Sequence, residues 1–235
     1  MIYLINRARR QAAGSADSAG GGIIQENLVW HFDAANPSSY SGSGTDWFNL
    51  VSGGPDGTLL NGATYSTDGG GSIELDGVDD RVTIGTYVNP FTDAILPNPC
   101  TVEFWVSRTS GATAVLFGHI SFSNGGYFPA LNPSTIAASN GTYGTVTYTV
   151  PTDGTFERVT MTRDGANVEV FVNAVSQGTI TINASNNLIG STLGSFLNGG
   201  FSLTGKVAEF NVYDVAFSAG DITTNFNNTK ARYGY

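Results

Sequence analysis

The chain predicts an all-β fold: two antiparallel sheets packed as a β-sandwich, with one short C-terminal helix and an extended N-terminal arm. Three observations predict it. Short runs from Asn27 onward alternate apolar and polar residues with a period of two, the mark of half-buried strands. Between them stand Asn61-Gly62, Asp68-Gly69, Asn140-Gly141, Asp153-Gly154, Asp164-Gly165 and Asn198-Gly199, pairs that tolerate the positive φ of tight hairpins. Composition agrees, because 31 of 235 residues are glycine and only 12% are charged, a turn-rich makeup that suits many short strands.

Residues 1–26 are set apart as an arm. Ile2, Tyr3, Leu4 and Ile5 form an apolar tip, Arg7, Arg9 and Arg10 follow, and Gln11 to Gly22 has the Ala, Gly and Ser makeup of a linker. The sandwich is expected over residues 27–235. It opens with Leu28, Trp30 and Phe32 alternating against Val29, His31 and Asp33. Ile73 and Leu75 then lead across Asp76-Gly77-Val78-Asp79-Asp80 to Val82 and Ile84. Further runs lie at Thr101 to Ser107, Ala114 to His119, Tyr143 to Val150, Phe156 to Thr162, Asn167 to Asn173, Gly178 to Ile182, Phe201 to Thr204 and Lys206 to Tyr213. Roughly ten strands suffice for two packed sheets. Arg163-Asp164-Gly165 predicts a hairpin from Arg158 to Val172. Ser218 with Asp221 three residues on reads as a capping box, Ile222 and Phe226 share one face, and Gly234 can end the helix.

Charge narrows the partners. The formal net charge is −9, and because Arg7, Arg9 and Arg10 lie in the arm, residues 11–235 carry seven basic against nineteen acidic residues, a balance of −12. Such a body repels a polyanion, so nucleic acid is excluded as a general partner. No segment approaches the roughly 20 apolar residues of a membrane span, so no membrane partner is expected. The apolar start is short and its arginines follow it, the reverse of a secretory signal, which predicts synthesis in the cytoplasm without a signal peptide. Cys100 is the only cysteine and reads as a small half-buried residue; no intrachain disulfide can form.

Four blocks in order resemble the laminin-G-like, concanavalin A-like jelly roll. They are Ser72 to Ile84, Thr101 to Val106, Phe156 to Gly165 running on to Val170-Phe171-Val172-Asn173, and Gly205 to Asp214. A narrower resemblance rests on the opening Leu28 to Tyr40, followed by Gly44-Thr45-Asp46-Trp47-Phe48-Asn49-Leu50, and on the ending Asn225-Phe226-Asn227 through Arg232-Tyr233-Gly234. These are similar to the jelly-roll virion proteins of tailed, notably marine, bacteriophages. The resemblance implies a non-enzymatic structural protein of the virion, made in the host cytoplasm. The expected role is a capsid decoration protein that docks through its arm on the major capsid protein or another virion protein, as a homo-oligomer. The alternative is a glycan-binding adhesion domain of a tail fibre or capsid surface.

Several constellations bear on chemistry. Asp76, Asp79 and Asp80 in one loop open a calcium reading, since clustered oxygen ligands suit a hard cation; a solvated turn is the other reading, and no cofactor is otherwise expected. Glycosidases need two carboxylates about 5 to 10 Å apart. Here Glu103 and Glu157 each stand alone in their strands, while Glu74 and Asp76 share a face but lack a third carboxylate. The histidines, His31 and His119, lie in alternating strands and no Gly-x-Ser-x-Gly elbow is present, so no nucleophilic triad is expected. Trp47, Tyr65, Tyr127, Tyr143 and Tyr148 are candidates to stack on sugar rings, half or more of them being expected in the core. In the arm, apolar Ile2, Tyr3, Leu4 and Ile5 can add a strand to a neighbour, and Arg7, Arg9 and Arg10 can pair with its carboxylates.

Overall fold

The computed structural model describes residues 22–85, 95–118, 127–186, 188–196 and 198–235. The arm residues Ile2, Tyr3, Leu4, Ile5, Arg7, Arg9 and Arg10 lie outside the described residues, as does His119. The alternating runs form two antiparallel sheets. In the first, the strands run in the order Val175–Thr181, Asn167–Val172, Glu157–Asp164, Cys100–Arg108, Thr204–Tyr213, Ser72–Asp76 and Thr64–Ser66. Strand Thr204–Tyr213 is long enough for two partners along one edge: Ser72–Asp76 pairs with its first half and Leu28–Asp33 with its second. The second sheet runs Tyr143–Thr147, Thr135–Ser139, Tyr127–Leu131, Phe117–Gly118, Thr192–Leu193, Arg81–Ile84, Gly57–Leu60 and Asp46–Trp47, with Ala114–Val115 also pairing Tyr127–Leu131. A short ladder joins Ile95–Leu96 to Leu188–Ile189.

The inward residues of both sheets meet in one core. Phe210 of the first sheet stacks on Phe104 with ring centroids 4.7 Å apart and reaches Phe117 of the second sheet at 5.3 Å. Trp30 and Phe32 pack their rings on Phe210 as well, so this one side chain ties both sheets together. Aromatic pairs add about 0.5 to 1.5 kcal/mol each beyond their buried area. The expected hairpin forms with Asp164 opposite Asn167.

The outer face of the first sheet is roofed by the helix Ala219–Thr229. Its start is the expected capping box: the Asp221 amide donates to Ser218 Oγ at 3.3 Å, and the Ser218 amide donates to Asp221 Oδ2 at 3.0 Å. A 3₁₀ turn, Lys230–Tyr233, follows, and Gly234 stops the chain's helical path in the left-handed region at φ 90°. Ile222 reaches the sheet beneath, and Tyr233 stacks on Trp105 at 3.9 Å. Ile23 also packs here, among Leu28, Phe217 and Ile222, while the Ile24 amide donates to Asn225 Oδ1 at 2.8 Å. The last residues assigned to the arm are therefore packed on the sandwich.

Three expectations change. The run Phe201 to Thr204 is a loop rather than a strand, because Phe201 takes φ 55°, and the strand begins only at Thr204. Ala114 to His119 divides into the short strands Ala114–Val115 and Phe117–Gly118; both pair with Tyr127–Leu131, and the second also pairs with Thr192–Leu193. Cys100 is fully buried rather than half-buried, and burial pushes its thiol up to about 12, opposed by the nearby Arg163.

Candidate functional site

Pairing positions in an antiparallel sheet place side chains on one face. In the second sheet one continuous row runs Asp46, Thr58, Thr83, Thr192, Gly118, Tyr127, Ser139, Tyr143 across eight strands. Their chain neighbours Trp47, Leu59, Val82, Leu193, Phe117 and Ala138 point into the core, so Asp46, Thr58, Thr83, Thr192 and Ser139 of this row face outward. Its centre is covered. Phe196, Val115, Ala130 and Ala137 form an apolar ridge there, and a Cβ at Gly118 would lie 2.7 Å from Val115 Cγ1 and 3.1 Å from Phe196 Cδ1. Only glycine fits beneath that ridge. Beside it the Thr192 hydroxyl donates to the Ser195 carbonyl at 2.6 Å and is spent internally.

On one side of the ridge, Asp46, Thr58, Leu60, Arg81 and Thr83 form a partly exposed platform of hydroxyls, one carboxylate and one guanidinium. Arg81 leads directly into the rim turn. Its Nη1 donates to the Asp79 carbonyl at 3.1 Å, and Asn61 Nδ2 donates to the same oxygen at 2.9 Å. The segment 198–202 closes on this turn, with Ser202 Oγ donating to the Val78 carbonyl at 3.0 Å. Val78 and Phe201 are exposed on the two loops, and Phe201 meets the ridge by an edge-on contact with Phe196 at 5.9 Å. Positive φ is costly for a bulky aromatic residue, and such strain clusters at binding sites.

The structure brings the sequence candidates Asp76, Asp79 and Asp80 together, with one oxygen of each within 4.8 Å of the others. Asp80 is only 5% exposed. Its Oδ2 accepts from the Asp76 amide at 3.1 Å, while its buried Oδ1 has no protein donor among the described residues. Burial pushes the Asp80 carboxyl above the ordinary range, and Asp76 and Asp79 add to the rise; the hydrogen bond from the Asp76 amide opposes it. Three hard oxygens, one of them buried without a donor, fit a hard cation such as calcium, which Asp76, Asp79 and Asp80 would hold. Such an ion would cancel the mutual repulsion of the three carboxylates and offer open coordination to ligand hydroxyls.

Other carboxylates are committed elsewhere. Glu103 and Glu209 share the outer face of the first sheet, but Arg158 lies between them, at 2.6 Å from Glu103 Oε2 and 3.7 Å from Glu209 Oε1. Asn225 of the helix donates to Glu103 Oε2 at 2.8 Å and seals the group from above. Carboxylates buried and neutralised in this way have no access to a substrate, so they do not supply the acid and nucleophile of a glycosidase. Glu157 is buried against the Tyr148 hydroxyl, and burial raises its carboxyl. His31 is a half-buried strand residue, as expected, with its imidazole pushed down by burial against the opposing pull of Glu209 and Asp33.

Among the candidate aromatics, Trp47 is core, Tyr65 stacks on Tyr40 at 5.6 Å, and Tyr148 is partly buried; the side chain of Tyr127 lies outside the described residues. Tyr143, 60% exposed, stands at the far end of the outward row. Phe201 was hidden from sequence reasoning by its place in an apparent strand.

Residues 76–223 match the family described as the concanavalin A-like lectin/glucanases superfamily. The chain belongs to this superfamily. No curated protein matches the sequence. Among solved structures, domain 4 of an extracellular arabinanase from Geobacillus stearothermophilus, in complex with arabinotriose, is similar over 84% of this chain and 97% of its own, with 17% identity and a TM-score of 0.63. The botulinum neurotoxin serotype D binding domain is similar over 86% of this chain, with 12% identity and a TM-score of 0.61. The serotype D ligand binding domain in complex with N-acetylneuraminic acid gives 11% identity and a TM-score of 0.61 over 86% of this chain. This chain spans about half the length of the toxin domains, at 51% and 50%. At such identities the likeness speaks for the concanavalin A-like fold.

Proposed function

We propose that this protein is a non-enzymatic, carbohydrate-binding β-sandwich whose ligand lies on the platform of Asp46, Thr58, Thr83 and Arg81, beside the rim turn of Asp76, Asp79 and Asp80. The observation that carries the reading is the outward row of the second sheet. It sets hydroxyl and carboxylate groups at strand spacing, about 4.8 Å apart across the sheet, a repeat that suits the hydroxyls of successive sugar positions. The exposed ring of Phe201 on the adjoining loop offers a face for stacking. The sealed state of Glu103 and Glu209 supports binding without hydrolysis, and the glycan complexes among similar folds support the ligand class. A glycan array with the full chain, repeated with Thr83→Val and Phe201→Ala, tests it. Selective binding that weakens at least several-fold in both variants, at unchanged melting temperature, is expected; a blank array sinks the reading.

A second reading concerns how the domain is carried. The packed exit of the arm, with Ile23 buried and Asn228 Nδ2 donating to the Gly22 carbonyl at 2.9 Å, favours a docking arm that leaves the sandwich at a fixed point. On this reading the protein is a virion structural protein that decorates a bacteriophage capsid, with Ile2 to Ile5 and Arg7, Arg9 and Arg10 engaging the major capsid protein. Co-sedimentation with empty capsids tests it. The full chain should pellet and a version lacking residues 1–21 should stay in solution; equal behaviour of the two abolishes the docking role.

A further inference from the structure

We infer that the platform selects uncharged oligosaccharides and rejects anionic ones, whether sialylated, uronic or sulfated. The inference rests on the glycan reading above and deepens it. Its basis is where the cations are. A sugar carboxylate or sulfate taken from water needs a guanidinium or ammonium group to meet it, because an unpaired charge at a protein surface gives up hydration without return.

The described residues contain seven arginines and lysines, and each already has its oxygen partners. Arg108, Arg158 and Arg163 are at most 1% exposed. Arg108 donates to the Val150 carbonyl, Arg158 faces Glu103 and Glu209, and Arg163 donates to the carbonyls of Gly165 and Asn186. Lys206 lies between Asp68 and Glu74, Arg232 pairs with Asp33, and Lys230 at the end of the helix donates to Asn227. That leaves Arg81 as the cation of the platform, and its Nη1 is held by the Asp79 carbonyl.

In a chelator, which keeps a hard cation out of the turn, the sign around Arg81 is negative. Asp79 and Asp80 precede it in the chain, Asp76 joins them within 4.8 Å, and Asp46 stands at the outer edge of the same platform. Four carboxylates outweigh one guanidinium, whose Nη1 is held and whose Nε has no partner among the described residues, and their net charge repels an anionic sugar. The three strands that carry the platform span only about 10 Å, so at low salt, where the Debye length is about 30 Å, every one of these charges acts on the ligand. An uncharged sugar meets no such penalty, and its hydroxyls can donate to the same carboxylates. Asp46 and Asp79 are thereby specificity-determining residues; neither side chain has a hydrogen bond that its amide analogue would break among the described residues.

The test compares matched ligands on the full chain, in a chelator, at low and at physiological ionic strength. The probes are arabinan against polygalacturonate, and galactosides with and without a terminal N-acetylneuraminic acid. Retention of an uncharged probe, with its anionic counterpart bound at least tenfold more weakly at low salt, is the expected result. The double variant Asp46→Asn, Asp79→Asn should narrow that gap several-fold, and raised salt should narrow it in the wild type. Anionic probes bound as well as or better than uncharged ones at low salt overturn the inference while leaving the glycan reading in place. If no probe of either kind is retained, the glycan reading falls and the selectivity falls with it.

Discussion

Two regions of this molecule gather carboxylates, and they handle them in opposite ways. Beneath the C-terminal helix, Glu103 and Glu209 are buried around Arg158, with Asn225, Thr160 and Asn211 completing their hydrogen bonds. At the rim, Asp76, Asp79 and Asp80 share one turn and the adjacent arginine donates to a main-chain carbonyl instead. Burial alone would lower the Arg158 guanidinium, but Glu103 and Glu209 outweigh it and hold the group above its ordinary value. Among the described residues no cation plays that part at the rim, and the Asp80 carboxyl rises instead. A compensated cluster has finished its chemistry within the fold, whereas an uncompensated one at the surface still has a partner to find.

The sharpest way to break the comparison is to remove the compensation. Arg158→Met leaves two buried carboxylates without their cation, a change that costs about 3 to 5 kcal/mol in comparable buried pairs. Denaturant unfolding should show a loss of this size. A loss below about 1 kcal/mol would mean that the layer is far wetter than its geometry indicates.

Asn225→Ala is expected to rank second. This fully buried side chain donates to Glu103 Oε2 and lies 3.0 Å from the Tyr213 hydroxyl, while its carbonyl receives the Ile24 amide. Leaving those buried groups unpaired costs about 1 to 3 kcal/mol. Amide hydrogen exchange at Ile24 should accelerate beyond the global loss of stability, because Asn225 joins helix, sheet and arm exit at one point.

A pH titration separates the two regions by sign. The half-buried His31 has its pKa below the ordinary 6.5, so near that pH the unfolded chain binds more protons than the fold. Stability from this group is complete above about 6.5 and is lost as pH falls, at most about 1.4 kcal/mol per pH unit. The groups facing His31 are Glu209, Asp33, Arg158 and Arg232. Asp80 acts oppositely in the carboxylate range: its raised pKa makes the fold bind the extra proton, so acid relieves strain at the rim. His31→Gln should flatten the slope of melting temperature between pH 7 and about 5.5; an unchanged slope would assign it to other groups.

Much of this contrast was legible in the residues and some was not. Strand runs, the Asp164-Gly165 hairpin and the Ser218 capping box announced themselves because each depends on neighbours in the chain. The Asp-Gly-Val-Asp-Asp turn likewise placed Asp76, Asp79 and Asp80 together before any fold was known. Glu103, Arg158 and Glu209 could not be joined in the same way, since their contact depends on the pairing of three strands far apart in sequence. The platform was hidden for a related reason. Thr58, Thr83 and Asp46 belong to short strands whose register alone aligns them, and Phe201 reads as a strand residue until its positive φ is seen.

The smallest expected effect decides most about the rim. Asp80→Asn keeps an oxygen for the Asp76 amide and removes one of three clustered charges, so in a chelator the variant should be as stable as the wild type or more stable, within about 1 kcal/mol. Calcium should then reverse the order. The wild type gains stability as the ion binds the folded state alone, by about 2.7 kcal/mol at a hundredfold excess over its dissociation constant, while the variant, with one hard ligand fewer, gains less. Thermal melts of both proteins with chelator and with calcium give the four values needed. If calcium leaves both unchanged, the turn is a solvated one, and the excess negative charge of the rim acts only by repelling anions from the platform beside it.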